Sequence, residues 1–411
     1  MAETTSRTFE LIVWGATGFT GQLVAEYLQQ RYGSEGDLRW AMAARNESKL
    51  RKVAEQIGAK VPLLIADSHD LAALKALCAQ TRVICSVVGP YASYGSELVQ
   101  ACVEEETHYC DLTGEVPWMR KMIDQHHAIA QEKQLKIVHT CGFDSIPSDM
   151  GVYFMQKKAQ AETGAYLQHI RFRLKAGKGG FSGGTIASLN QVLVDSQKDP
   201  SVLQVLANPY GLNPLGDQDG QDEPDLMEAK YDPIAKGWMA PFVMSAINTK
   251  VVRRSQALSG HPYGRDFRYE EATLMGDGWG SKIAARGMAW GMGLLQSATP
   301  GTPLGTILAW VMPKPGEGPS QSARENGFYV VDFFGTNETG QVYKCRVKGD
   351  RDPGYGSTCK MLAETAICLS RDEKPESYGV LTPSVAMGDA LLKRLQENAG
   401  LSFSWEGLQS Q

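Results

Sequence analysis

The chain lacks several things, and each absence narrows what it can be. Its eight cysteines include no C-x-x-C pair. That excludes a zinc ribbon or a disulfide framework and reads as small buried hydrophobes of a reducing compartment. Its seven histidines have no carboxylate or cysteine at ligand spacing, so no metal site is expected. Basic residues are not in excess: 41 Lys and Arg face 46 Asp and Glu, a net charge of −5. A general nucleic-acid binder needs a basic face, so that partner is excluded. Met1 to Thr8 is polar and contains no apolar h-region, so no secretory signal and a cytoplasmic location are expected. No repeat at solenoid spacing is visible. Finally, no charged residue lies between Arg286 and Lys314.

What is present is organised around one stretch. Leu11-Ile12-Val13-Trp14 is an apolar run, and Gly15-Ala16-Thr17-Gly18-Phe19-Thr20-Gly21 follows at once, with Leu23, Val24, Tyr27 and Leu28 on one face of a helical pattern. Strand, glycine-rich turn and helix form the context of a dinucleotide fingerprint. Gly15 would make the tight turn, Gly18 would let the backbone approach a pyrophosphate, and Gly21 would let helix and strand pack closely. Helix N–H groups at Phe19 to Gly21 would face the phosphates. The spacing is G-x-x-G-x-x-G, one residue off the standard, and a purely structural turn is the competing reading.

Strand and helix patterns then alternate to residue 140. Expected strands are Leu38 to Ala44, Val61 to Ala66, Arg82 to Val88, Tyr109 to Leu112 and Lys136 to Thr140. Helices fall between them, one starting at Asn46 as cap. Near-continuous apolar strands separated by amphipathic helices imply a parallel sheet covered on both faces. After Phe143 the rhythm changes. Ser148 or Asp149 is the expected cap of the next helix, a strand pattern spans Tyr166 to Lys175, and a helix is expected over Ile186 to Ser196. Residues Asp199 to Asp232 read as an irregular excursion. Phe328 to Phe334 and Val342 to Lys348 flank a Gly/Asn turn as a hairpin. A last helix, Ser357 to Leu369, precedes a polar tail.

The charge-free segment 287–313 is long enough to span a bilayer, but Gln296, Ser297 and Thr299-Pro300-Gly301-Thr302-Pro303 interrupt it. Two short apolar pieces around a turn fit better. They suit a buried helix pair, a homodimer contact, or peripheral contact with a membrane, since tryptophans flank the apolar part.

Candidate chemistry sits where the strands end. Arg45 occupies the position where an NAD site carries an acid, and an arginine there suits the 2′-phosphate of NADP. A solvated surface arginine is the alternative. Asp67 closes the third strand and joins the candidate cofactor contacts. Val88, Gly89 and Pro90 end the fourth strand, where backbone would run along the nicotinamide ribose. Tyr91 and Tyr94 are candidate donors to a substrate carbonyl, and Asp144 and Ser145 stand at the same carboxyl edge. Tyr153 and Lys157 form Y-x-x-x-K, the acid–base spacing of short-chain dehydrogenases, but Ser145 is misplaced for that arrangement and the pair is not expected to act.

These motifs together resemble the saccharopine-dehydrogenase-like oxidoreductases. The resemblance is carried by Gly15 to Gly21 with Gln22, Ala44-Arg45 with Lys49-Leu50, Val88-Gly89-Pro90-Tyr91 with Tyr94-Gly95, and Asp111-Leu112-Thr113-Gly114-Glu115. Gly142-Phe143-Asp144-Ser145-Ile146-Pro147, Gly183-Gly184-Thr185 and Asp352-Pro353-Gly354-Tyr355-Gly356-Ser357-Thr358 extend it over most of the chain. It implies an α/β chain: a Rossmann-type doubly wound parallel sheet, residues 1–147 plus about 353–411, and a second α/β domain, 148–352. It also implies NADP as cofactor. The nearer branch is that of the trans-acting enoyl reductases, so a small-molecule or lipid-linked, apolar substrate is expected. Reduction of an imine formed from an amino acid, with Arg171, Arg173, Arg253 and Arg254 as cations, is the alternative. A membrane-associated protein that binds NADP without turnover is a third reading.

Overall fold

A computed structural model describes residues 7–179, 200–297 and 318–409. The first part alternates as expected: β1 (Phe9–Trp14), α1 (Phe19–Tyr32), β2 (Trp40–Ala44), α2 (Glu47–Ile57), β3 (Leu63–Ile65), α3 (Leu71–Cys78), β4 (Thr81–Ser86), α4 (Tyr91–Tyr94), α5 (Ser96–Glu104), β5 (His108–Asp111), α6 (Val116–Glu132) and β6 (Lys136–Val138). Every residue of β1, β2 and β6 is buried, which is why these runs carry no alternation. Asn46 caps α2, its Oδ1 accepting from the Lys49 N–H at 2.9 Å.

There follow α7 (Ile146–Thr163), β7 (His169–Lys178), α8 (Pro200–Ala207), β8 (Lys230–Asp232), β9 (Gly237–Ala240), α9 (Ser245–Leu258), β10 (Arg268–Gly276), α10 (Trp279–Ser297), α11 (Gln321–Glu325), β11 (Phe328–Thr336) and β12 (Val342–Gly349). A π-turn at Pro353–Ser357 leads into α12 (Thr358–Arg371), then β13 (Gly379–Leu381), α13 (Pro383–Glu397) and β14 (Leu401–Leu408). The helix expected over Ile186 to Ser196, and Gly183 to Thr185, lie outside the described residues.

The first sheet has the order β13-β6-β5-β4-β1-β2-β3, parallel throughout. It is the doubly wound order, with its topological switch beside β1. The second sheet runs β14-β12-β11-β7-β10-β9-β8. Only β7 and β10 pair in parallel; the rest is antiparallel. One continuous core links them, from Leu11 and Val13 of β1 through Met150 of α7 and Leu362 of α12 to Phe172 and Phe333.

Three expectations are corrected. The tail after Leu369 is not a tail: β13 extends the first sheet and β14 the second. Residues 353–411 therefore do not return whole to the first domain. β14 alternates buried Leu401 and Phe403 with exposed Ser402 and Ser404, a half-buried strand with no continuous apolar run. Second, α7 begins after Ser145, and Asp149 is no cap: its carboxylate accepts from Ser255 Oγ at 2.6 Å and the Ser384 N–H at 2.7 Å. Third, residues 199–232 are not wholly irregular, since α8 and β8 lie within them. Of the charge-free segment, residues 287–297 are the end of α10, and the second apolar piece lies outside the described residues. Among the described residues no helix is long and apolar enough to cross a membrane.

Candidate functional site

The carboxyl edge of the first sheet gathers the glycine loop, the ends of β2, β3 and β4, and the turn after β6. Gly15 has φ +90°, a left-handed conformation, and a Cβ there would lie 2.4 Å from Val88 Cγ2. A Cβ on Gly21 would lie 2.2 Å from the Gly15 carbonyl oxygen, so helix and loop meet only through glycine. Gly18 differs. Its nearest neighbour would be 3.4 Å away, an ordinary contact, and the residue is exposed. Among the described residues nothing requires glycine there, whereas a ligand lying against the loop would. Gly18 is also the N-cap of α1, with no side-chain cap and no acid in the first turn. The N–H groups of Phe19, Thr20 and Gly21 are thus left for an anion, and the pyrophosphate of NADP fits that cradle. Ala16 is buried and Thr17 gives its carbonyl to Gln22 Nε2 at 3.0 Å.

Arg45 projects from the end of β2 with its side chain 77 % exposed, and its Nη1 stands 3.8 Å from Asp67 Oδ2 at the end of β3. An ion pair that open to water is weak, so the guanidinium is free to take a phosphate. Gly89 is exposed and Pro90 caps α4.

The tyrosines separate. Tyr91 is buried; its hydroxyl donates to the Ser86 carbonyl at 3.1 Å and accepts from the Leu112 N–H at 3.4 Å. Burial holds that phenol well above its ordinary range. Its donor is committed to the scaffold. Tyr94 is exposed, with its ring 5.6 Å from that of His69, which follows β3. It therefore lies beside the loop that follows β3. Sequence reasoning missed Glu115, whose carboxylate accepts from the Tyr91 and Ala92 N–H groups, each at 2.8 Å, and so fixes the turn after β4.

Asp144 is half-buried on the turn between β6 and α7. Burial, with the Asp111 carboxylate adding to it, raises its carboxyl from 3.8 to about 7. Asp111 itself is fully buried, bonded to His139 Nδ1 at 2.7 Å and to the Thr113 N–H at 3.1 Å. Ser145 Oγ donates to Asn248 Oδ1 at 3.0 Å, and Asn248 Nδ2 donates to Glu271 at 3.0 Å, a second buried carboxyl raised to about 7 by desolvation. Ile247 of α9 stands over Gly114, where a Cβ would come within 2.9 Å of it. The second domain thus roofs the crevice beside Asp144. The Asp352 to Thr358 motif closes the other end. Asp352 accepts from the Tyr355 and Gly356 N–H groups at 3.0 and 2.8 Å, Tyr355 packs edge-on against Phe19 at 4.7 Å, and Thr358 Oγ1 accepts from the Phe143 N–H at 2.9 Å.

Two further sets are placed away from this edge. Tyr153 donates to Asp389 on α13 at 3.1 Å, and Lys157 pairs with the same carboxylate. Arg171, Arg173 and Arg253 line one cavity of about 350 Å³, but a carboxylate already faces each of them: Arg173 pairs with Asp232 at 2.7 Å and with Glu270, Arg253 with Asp222 at 2.5 Å, and Arg171 Nε stands 3.9 Å from Glu270. Arg254 is buried elsewhere, donating to the carbonyls of Leu212 and Val380. Among the described residues no cluster of three or more metal-ligating side chains occurs.

Residues 11–138 match the family described as saccharopine dehydrogenase NADP binding domain. The Mycobacterium tuberculosis protein Rv2449c, whose name assigns it provisionally as a trans-acting enoyl reductase, is 40 % identical over 423 residues, covering 99 % of both chains. The trans-acting enoyl reductase of Mycobacterium ulcerans is 36 % identical over 411 residues, covering 95 % of this chain and 96 % of its own. Among solved structures, saccharopine dehydrogenase (L-Glu forming) of Saccharomyces cerevisiae has the same fold, with a TM-score of 0.54 at 13 % identity over 97 % of this chain and 99 % of that one.

Proposed function

On the premise that this chain belongs to the family of the mycobacterial trans-acting enoyl reductases, with a saccharopine-dehydrogenase-type NADP-binding domain, we propose that it is an NADPH-dependent reductase of an apolar, α,β-unsaturated acyl substrate. Bound NADPH would supply the hydride. The chain's own part is to hold the pyrophosphate on the Gly18–Gly21 amides, to take the 2′-phosphate on Arg45, and to deliver the matching proton.

Asp144 carries that last role and is the observation on which the reading rests. A carboxyl raised to about 7 keeps its proton near neutral pH, and it stands at the carboxyl edge of the sheet, where a bound nicotinamide would point. Hydride addition at the β-carbon places charge on the thioester oxygen, and Asp144 supplies the proton that completes the saturated product. Tyr91, whose hydroxyl is bonded to backbone, is not used for it. The amino-acid alternative is disfavoured because Arg173 and Arg253 are already neutralised by carboxylates, and a dicarboxylate substrate needs unpaired cations. Peripheral contact with an anionic lipid surface through α10 would bring a lipid-linked substrate to the crevice.

The test is a substrate panel read by loss of reduced-nicotinamide absorbance. Medium- and long-chain enoyl thioesters are expected to stimulate NADPH oxidation more than mixtures of lysine and keto acids. Turnover of the amino-acid mixtures alone would overturn the reading.

A further inference from the structure

A second cavity, of about 200 Å³, opens between α8, the loop that follows it, and α9. Its wall is apolar: Leu206, Pro209, Leu226, Phe242, Val243 and, from α10, Met292. Two charged residues break that character, Lys250 and Asp225. Lys250 lines the cavity and is only 2 % exposed. Among the described residues it makes no hydrogen bond and has no carboxylate within ion-pair distance. Asp225 is the carboxylate whose charge reaches it, yet Asp225 already accepts from Thr249 Oγ1 at 3.0 Å. Arg253, one turn on, is held by Asp222 and adds repulsion. Burial lowers the Lys250 ammonium to about 8, so it is still mostly charged at neutral pH.

A buried ammonium in a largely apolar cavity, with no carboxylate within ion-pair distance among the described residues, is costly, and natural interiors rarely leave one so. We propose that this cavity binds a short aliphatic carboxylate, its chain against the apolar wall and its carboxylate on Lys250. The volume suits such a ligand, since a cavity of about 150 Å³ accepts benzene. The place is suggestive as well. The same helix sets Ile247 over Gly114 and Asn248 on Ser145, so the cavity adjoins the crevice within one turn of α9. The inference stands apart from the reductase reading, because it needs neither NADPH nor turnover.

The experiment is calorimetric titration of the full chain, without cofactor, with octanoate, octanol and octylamine. Octanoate is expected to bind, octanol more weakly, and octylamine least. Lys250→Met, which keeps the length of the side chain, should weaken octanoate by about tenfold or more. A second measurement avoids reliance on the variant: in the unaltered protein octanoate, but not octylamine, should slow acetylation of Lys250 by acetic anhydride, followed by peptide mass spectrometry. The proposal is overturned if octanoate does not bind, if octylamine binds as tightly, or if octanoate neither discriminates Lys250→Met nor protects Lys250.

Discussion

Gly15 and Val88 touch across the switch point of the sheet: a Cβ on the glycine would sit 2.4 Å from the valine Cγ2. The loop after β1 and the turn after β4 therefore form one surface, with the Val87 N–H bonded to the Trp14 carbonyl at 3.0 Å beside that contact. The glycines of the loop should then fail in different ways. Gly15→Ala meets both a φ of +90° and the Val88 methyl, and is expected to lower stability by on the order of 2 kcal/mol or more. Gly18→Ala meets nothing closer than 3.4 Å, so its melting temperature should stay near that of the wild type while NADPH affinity falls about tenfold or more. Thermal melts beside fluorescence titration of NADPH separate the two. Equal affinity for Gly18→Ala and wild type would show that no pyrophosphate lies against the loop.

Arg45 should read the 2′-phosphate. A charge-assisted hydrogen bond contributes about 1.5–3 kcal/mol, so Arg45→Ala is expected to weaken NADPH by about tenfold or more and to leave NADH almost unchanged. The 3.8 Å contact with Asp67 is too exposed to complicate the result through stability. Parallel titrations of both cofactors check it, and equal losses would remove Arg45 from cofactor selection.

Asp144 gives a pH signature. Its carboxyl is raised from 3.8 to about 7, so the protonated form is the one the folded protein favours. The stability this confers is fully present below about pH 4 and is lost as pH rises towards 7. As a proton donor it should be competent below about pH 7, with kcat falling up to tenfold per pH unit above that value. Asp144→Asn should lose about 10²–10⁴-fold in kcat and flatten that profile, while NADPH affinity is kept. Tyr153→Phe, whose hydroxyl is bonded to Asp389, should retain most of the activity. A hundredfold loss in Tyr153→Phe, with Asp144→Asn active, would reverse the assignment.

What the sequence made legible is what local chemistry decides. The glycine loop, the Asn46 cap and the β11–β12 hairpin follow from residues within a few positions of each other, and all three are where they were expected. The misses are tertiary. Glu115 acts on the Tyr91 and Ala92 amides 24 and 23 residues earlier in the chain, and Asp111 pairs with His139 across 28 residues. Nothing in the neighbouring residues marks such partners. The burial that raises Asp144 depends on how the chain folds around the turn, so the residue could be nominated by position but not by its acidity. The C-terminal strands were lost for another reason: β13 has three residues, and β14 is polar on every second one.

Helix α10 is the last test, because its sequence conflicts with its exposure. Trp279 and Trp290 are 77 % and 72 % exposed, and Ile283, Met288 and Leu294 are exposed with them. Single exposed hydrophobics need no explanation, but five along one helix do. The helix also carries Lys282 and Arg286 and no acid, and that charge favours an anionic surface over a purely apolar partner. Vesicles containing phosphatidylserine are therefore expected to float the protein, with vesicles of phosphatidylcholine alone doing so less, and with binding that weakens as salt is raised. Trp290→Ser should reduce flotation by removing apolar contact, and Lys282→Gln with Arg286→Gln should remove the lipid and salt dependence, both without lowering the melting temperature. If the protein ignores both vesicles and Trp290→Ser instead converts a dimer to a monomer in sizing experiments, the face is a subunit contact and the lipid assignment falls.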